Sequence, residues 1–572
     1  MVGKLVEKVV IIDGYVDTPA GLGVPPYLDV FPRYVAGAVW SVNPSAQVLY
    51  FTVDYVRAHF SEVMKICNES DLVVFIAGVI VPGKYLGGEP IKEEELTLWP
   101  QLMRKPIKVL GGPVARFGLG GVGGEIATPP EYFSKYFDLV VPGDIEVVVH
   151  DLVREGLRVD YVDPHRLRES YREIREFAIK GARIVTQHPN YGKNLICEIE
   201  TYRGCPRYIT GGCSFCIEPL WGCVKFRDVE DVVEEIRALY EWGVRCFRIG
   251  RQPDLYAYWA KDTGVEEFPK PRPEVIERLF RGIRNVAPEL ETLHIDNVNP
   301  GTVYHHPREA REITKIIIKY HTPGDVAAFG IESADPRVVR LNNLKVMPDE
   351  ALEAIRIICE VGSVRGWNGL PELLPGVNFV CGLIGETKET YYLNYIFLKK
   401  VLELGYLIRR VNIRQVLVLP CTRMASVGTS IIRRHWNYFQ SFKRKVRKEI
   451  DLPMLRKVVP KGTVLKRAFT EAHYGGGTYA RQVGTYPLLI WCPMRLELGK
   501  YMDFLVVDHG FRSVVAVPYP LDVNSAPLKV LKLIPGMTED KVRKIMRMRP
   551  FKSVSELSEV VGELAKYFTV KN

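Results

Sequence analysis

Three cysteines, Cys205, Cys213 and Cys216, lie within the stretch IETYRGCPRYITGGCSFC at 199–216. Seven residues separate the first pair and two separate the second. A C-x₂-C pair sets two thiolates on one tight turn, the geometry that grips a metal or an iron–sulfur cluster. A third thiolate nearby makes three protein ligands, and a cubane cluster held by three keeps one iron open to an exogenous ligand. Gly204, Pro206, Gly211 and Gly212 mark a loop, where packing alone gives no reason to gather thiols. Cys223 is the alternative fourth thiolate of an ordinary cluster. Cys197, Cys246, Cys359 and Cys381 fall on predicted strands or helices and read as core.

The run ETYRGCP…CSFC resembles the opening of the radical SAM superfamily, with an aromatic residue, Phe215, before the last cysteine. The resemblance implies that Cys205, Cys213 and Cys216 hold a 4Fe–4S cluster. It also implies that S-adenosylmethionine chelates the open iron, and that its reductive cleavage yields a 5′-deoxyadenosyl radical. An electron donor such as ferredoxin or flavodoxin is implied with it. The family spaces its first two cysteines three residues apart, so the seven here predict an outward bulge of the loop.

The elements that must position this loop read as a repeating β/α pattern. Strands are predicted at 194–202, 244–250, 291–297, 326–332, 377–384 and 410–418, with helices at 228–242, 273–286, 308–320, 349–361 and 388–404. Six such units make an open (β/α)₆ barrel, a partial TIM barrel of α/β class, whose ligands sit at the strand carboxy ends. Unusual polar residues fall there: Gly250, Arg251 and Gln252 in FRIGRQPD, Asp296 and Asn297 in HIDNVNPG, and Arg414 on the sixth strand. Asp296 and Asn297 suit hydrogen bonds to a ribose. FGIESADPRVVRLNN resembles the family's Gly-Ile-Glu-Ser segment, which implies that Glu332 and Ser333 contact S-adenosylmethionine. FVCGLIGETKET (379–390) is similar to the family's Gly-Glu-Thr turn, with Ile384 in place of proline.

Ahead of the barrel, KVVIIDG (8–14), AQVLYFTV (46–53), DLVVFIAGVIV (71–81), PIKVLGGPVA (106–115) and FDLVVPGD (137–144) read as parallel strands of a doubly wound, Rossmann-like sheet over 1–150. This part resembles the cobalamin-binding-like domain that precedes many radical SAM domains. No Asp-x-His-x-x-Gly segment offers cobalt a histidine, so cobalamin stays open as a cofactor, and any binding is expected to be weak and without a histidine ligand. Residues 151–190 read as a helical linker to the barrel at 191–430.

Beyond the barrel the chain turns basic. Residues 431–572 hold 26 Lys and Arg against 12 Asp and Glu, a balance of +14, and the first 430 residues carry the remaining −4 of the net +10. Such asymmetry suits a polyanion partner, RNA or DNA. RRHWNYFQSFKRKVRKE is read two ways, as phosphate contact with base stacking or as an amphipathic helix with its aromatics in the core. Residues 459–520 alternate short β-like runs with Gly turns, a small all-β module within 431–523. Residues 524–572 resemble a helix-hairpin-helix module: the hairpin centres on Gly536, Thr538 caps the second helix, and Lys541, Arg543 and Lys544 follow as candidate nucleic-acid contacts. Hydrophobic content of 47% with 25% charged residues is that of a soluble globular chain, and no apolar run reaches a membrane span. Eleven cysteines at this length are not a disulfide framework, which predicts a reduced, cytoplasmic protein. The resulting expectation is a radical SAM enzyme that modifies an unreactive C–H bond of RNA, by methylation or thiolation. The alternatives are a small-molecule or lipid substrate, or a nucleic-acid-binding protein with a structural cluster.

Overall fold

The computed structural model describes residues 5–17, 26–78 and 87–571. The amino-terminal part is a five-stranded, all-parallel sheet of Lys8–Asp13, Gln47–Thr52, Leu72–Ile76, Ile107–Gly111 and Leu139–Val140. In chain order the strands lie second, first, third, fourth, fifth, which puts the topological switch between Lys8–Asp13 and Leu72–Ile76. Residues 79–81 of the third predicted strand lie outside the described residues.

The six predicted barrel strands form as Ile196–Ile199, Cys246–Ile249, Thr292–Ile295 with Asn297–Val298, Asp325–Glu332, Leu373–Cys381 and Arg410–Gln415, joined side by side and parallel. The intervening helices, such as Val229–Glu241, Pro273–Val286 and Pro307–Tyr320, carry their apolar stripe inward at the helical period. The third strand breaks at Asp296. There the buried Asp325 carboxylate accepts from Ile295 N at 3.0 and 3.1 Å, in place of a ladder carbonyl.

The 151–190 segment is packed into the body. Its helix Arg175–Gly181 crosses Val30–Val42 so closely that a Cβ on Gly37 would lie 1.9 Å from Phe177 O, and one on Gly181 1.8 Å from Arg33 O. Part of the amino-terminal domain also joins the barrel. Tyr27–Leu28 adds to the first barrel strand in parallel, and the guanidinium of Arg33 enters a fully buried pair with Glu235, shared with Arg227. On the other flank Gly124 N donates to Val416 O at 2.8 Å and Ile126 bridges Val418. The same domain thus grips both edges of the open barrel.

The carboxy-terminal module is a closed five-stranded barrel of Val464–Tyr474, Gly477–Gln482, Leu489–Cys492, Tyr501–His509 and Ser513–Tyr519. Its first strand pairs with the second and fourth, and its third and fifth run parallel. Helix Trp436–Val446 divides the aromatics of this stretch between core and surface. Phe439 and Phe442 are buried, while Trp436 is 50% exposed and Tyr438 46%. No helix among the described residues is long and apolar enough to cross a membrane.

Candidate functional site

The long cysteine interval is absorbed locally. Pro206–Thr210 makes a tight 3₁₀ turn, and Gly211 (φ +79°) and Gly212 (φ +61°) reverse the chain into Cys213. A Cβ on Gly212 would meet Pro219 Cγ at 2.2 Å, so the return needs glycine. The loop is clamped by the corner that follows the fourth strand. Ser214 N donates to Asn342 O at 3.0 Å and Ser214 Oγ to Asn342 Oδ1 at 2.6 Å. Asn343 Nδ2 holds Thr210 O and Gly212 O, each at 3.0 Å, and Arg423 Nη2 reaches Gly212 O at 2.8 Å. Val338, Leu344, Val380, Leu383 and Val416 share an apolar cluster with buried Cys213, while Cys205 and Cys216 are half-buried.

Burial pushes the Cys205 thiol up to about 12 and raises Cys216 as well, and the nearby Cys213 raises both further. Thiolates here are stable only against positive charge. Two cations supply some of it: Arg207, 2% exposed, donates from Nη1 to Cys213 Sγ at 3.2 Å, and Lys345 acts on the charge of Cys213 and Cys216. Among the described residues no group of three His, Cys, Asp or Glu side chains converges on a single metal ion. A donor set of three thiolates with two countercharges fits a cluster, which spans more space than one ion. Cys223 is exposed, outside the buried shell around Cys213.

Beside the loop is a cavity of about 300 Å³ at the strand carboxy ends. Phe215, Asn297, Glu332 and Arg414 line it, with Lys345. Glu332 closes its strand at φ +67°, a left-handed conformation held for a non-glycine residue. Its Oε1 is 3.7 Å from Lys345 Nζ, and its buried Oε2 has no partner. A Cβ at Gly330 would sit 2.4 Å from both Glu332 Oε1 and Lys345 Nζ, so the backbone there is cut back to admit this pair. An orphaned carboxylate oxygen beside an apolar shell suits the donor groups of S-adenosylmethionine. An open groove of about 650 Å³ between Pro273–Val286 and Pro307–Tyr320 shares no lining residue with this cavity.

The other predicted rim residues turn elsewhere. Gln252 is fully buried, accepting from Thr201 Oγ1 at 2.9 Å and donating to Ile249 O at 2.8 Å. Gly250 offers its carbonyl to Asn297 Nδ2 at 3.3 Å. Asp296 is taken by Arg248 at 3.3 Å and by Tyr486 OH, from the carboxy-terminal module, at 2.6 Å. Ser333 Oγ accepts from Asp335 N at 3.2 Å, a local turn. Nothing local in the sequence singles out Lys345 or Arg207, each one basic residue among many.

In the 524–572 segment a short helix, Leu528–Leu531, leads through Gly536 (φ +83°) to Glu539–Met548, capped by Thr538. Lys541 Nζ turns back to Val561 O at 3.2 Å, and Arg543 pairs with Asp540 at 3.4 Å. Lys544 is exposed. Glu539 and Asp540 fill the first turn, so the positive helix end that would attract phosphate is already compensated.

The sequence pattern of the radical SAM superfamily matches residues 199–392, from the end of the first barrel strand through the cysteine loop and the second to fifth strands. An uncharacterized protein of Methanocaldococcus jannaschii is 45% identical over 89% of this chain and 93% of its own. One of Archaeoglobus fulgidus is 43% identical over 98% of each. Among solved structures, the radical S-adenosylmethionine methyltransferase TsrM of Kitasatospora setae aligns over 73% of this chain and 75% of its own with a TM-score of 0.48 at 15% identity, too distant to transfer a substrate. With three cysteines on the loop after the first barrel strand, and the superfamily pattern running through that loop, the chain belongs to the radical SAM superfamily, whose members use a 4Fe–4S cluster and S-adenosylmethionine.

Proposed function

We propose that this radical SAM enzyme modifies RNA at an unreactive C–H bond, by methylation or thiolation. When bound, the cluster and S-adenosylmethionine supply reductive cleavage and the 5′-deoxyadenosyl radical. The chain binds, orients and excludes water. Cys205, Cys213 and Cys216 would hold the cluster. Glu332, with Lys345 as its countercharge, would take donor groups of S-adenosylmethionine, while Asn297, Arg414 and Phe215 shape the wall. A ferredoxin or flavodoxin would deliver the electron. Cobalamin binding would be weak or absent, and without a histidine ligand.

The observation that carries the RNA reading is an outward aromatic strip on the carboxy-terminal barrel. Tyr474, 61% exposed, stacks on Tyr479 with centroids 5.0 Å apart, and Tyr479 faces Trp491 across the second and third strands. Exposed His473 and Arg495 flank them, 3.5 Å apart. In barrels of this size that face and its loops bind oligonucleotides, and each stacked base is worth about 1–3 kcal/mol. Exposed Trp436 and Tyr438 add a second platform. They follow Ile432, a member of the apolar cluster that includes Cys213.

The test is nucleoside mass spectrometry of tRNA and rRNA from a deletion strain, where one modified nucleoside is expected to vanish. Unchanged profiles, with purified protein that ignores RNA at low salt, would pass the case to a small-molecule or lipid substrate.

A further inference from the structure

At the amino end of the sixth barrel strand, opposite the cysteines, the chain gathers arginines with too few acids. Arg409 and Arg410 enter that strand, Arg447 comes from the helical segment below, and Arg512 comes from the turn joining the fourth and fifth strands of the carboxy-terminal barrel. Arg409, Arg410 and Arg512 line a cavity of about 60 Å³ with Asp451, Tyr486 and Phe511. Asp451 is the one acid there, and Arg447 already pairs with it. Among the described residues no carboxylate lies within ion-pair distance of Arg409, Arg410 or Arg512.

The hydrogen-bond donors are equally underused. Arg409 Nη2 reaches Tyr486 O at 3.0 Å, but its Nε is buried without a partner. The Arg410 guanidinium lies 4.0 Å from the Tyr486 ring centroid, and its Nε is likewise buried and unpaired. Burial and the neighbouring arginines push Arg409 down to about 10 and Arg512 down to about 9. A fold that confines like charges at this cost is relieved when an anion enters. Arg447–Asp451 is wound as a π-helical turn, a local irregularity that is frequent at functional sites.

We infer that Arg409, Arg410 and Arg512 form a pocket for the phosphate monoester of a nucleotide, with Phe511 at its rim stacking on the base. The guanidinium forks match tetrahedral oxyanions bidentately. The cavity has room for one such group, since a water needs about 10–15 Å³ of the same measure. Phe511 is 53% exposed beside Arg512, on the loop between the fourth and fifth strands that such barrels use for oligonucleotides. Arg410 and Arg414 lie on one strand, four residues and about 13 Å apart, so this pocket is distinct from the cavity beside the cysteines. The inference does not depend on RNA being the substrate. The nucleotide is either free or the 5′-phosphorylated end of an RNA.

The test uses the full-length chain at low ionic strength in chloride buffer, with calorimetric titration of adenosine 5′-monophosphate, inorganic phosphate and adenosine. Wild type should bind the monophosphate at least tenfold more tightly than adenosine, and Arg409→Gln and Arg512→Gln should each weaken it at least tenfold. A short RNA offered with a 5′-phosphate or a 5′-hydroxyl separates the sources. At least tenfold preference for the phosphate, lost in the variants, assigns an RNA end, and no preference assigns a free nucleotide. Wild type that binds neither monophosphate nor phosphate, or variants that bind as wild type does, would overturn the pocket. If the variants fail to fold, wild type decides the matter. The monophosphate should protect Arg409 and Arg512 from phenylglyoxal, mapped by mass spectrometry, and unprotected arginines refute it. Should RNA fail as substrate, nucleoside profiles stay unchanged while monophosphate binding persists.

Discussion

Replacing Arg207 with glutamine tests how the long cysteine interval serves the cluster. Arg207 sits inside that interval, 2% exposed, and each of its three nitrogens has a partner: Nη1 donates to Cys213 Sγ at 3.2 Å, Nη2 to Asn343 O at 2.9 Å, and Nε to Glu267 Oε1 at 2.8 Å. At an effective dielectric of about 20, a unit charge pair at the sulfur separation is worth about 5 kcal/mol before desolvation. Charged hydrogen bonds net about 1.5–3 kcal/mol. A one-electron couple moves 59 mV per tenfold, so that range corresponds to about 60–130 mV. The sign follows from charge. Reduction adds an electron, and a cation donating to a ligand sulfur stabilises the reduced state. Arg207→Gln should therefore shift the midpoint potential to more negative values by about that amount, read by anaerobic titration followed by paramagnetic resonance. Arg207→Lys keeps the charge without the fork and should fall between. A glutamine variant that retains full iron and the wild-type potential would refute the assignment, because a merely structural arginine would cost stability without moving the potential.

Cys205→Ala, Cys213→Ala and Cys216→Ala should each abolish a reconstituted content of about four iron and four sulfide per chain, whereas Cys223→Ala should retain it; iron analysis and reductive cleavage of S-adenosylmethionine decide. Cluster assembly should strengthen with pH. Cys205 and Cys216 are raised by burial and protonated at neutral pH, so iron must displace at least two protons. Apparent affinity should then climb by about 100-fold per pH unit below those values and be lost as pH falls, and a flat profile between pH 6 and 9 would contradict this. Removing 525–572 should leave cleavage of S-adenosylmethionine intact while RNA binding, measured by filter retention, weakens. The effect should be small, since Lys541 and Arg543 are engaged within the module. RNA binding by the whole chain should fall steeply with salt, because each phosphate contact releases counterions.

Much of this was legible in the sequence, and the rest was hidden for identifiable reasons. The barrel helices could be read because their apolar stripes repeat at the helical period. The cysteines could be read because three thiols on a glycine-rich loop have few other uses. Among rim residues, strand ends could be located but not the direction of each side chain. Asn297 faces the cavity, while its neighbour Asp296 turns to Arg248 and Tyr486, since successive side chains on a strand alternate. The partner that claims Asp296 lies 190 residues away, beyond any local pattern. Lys345 and Arg207 gain meaning only from what surrounds them. Tyr27–Leu28 is too short to carry a strand signal and exists because the barrel offers it an edge.

A partial barrel has two weaknesses, an open seam and an unfilled floor, and this chain answers each with a segment from outside the barrel. The seam is gripped on one side by Tyr27–Leu28 and on the other by the contacts of Gly124 and Ile126 with the sixth strand. The floor is closed by Thr485, whose Oγ1 donates to Ile295 O at 2.9 Å, and by Tyr486 against Asp296. Residues of the first sheet, the barrel and the terminal barrel accordingly share one hydrophobic core, from Val6 to Ala516. The boundaries near 150, 190 and 430 are changes of motif, not of packing. Between these closures Arg410, Asn412 and Arg414 take alternate positions on one face of the sixth strand. The cavity beside the cysteines is lined by barrel residues and the cysteine loop, so the amino-terminal domain and the carboxy-terminal barrel act on it by bracing the barrel from outside.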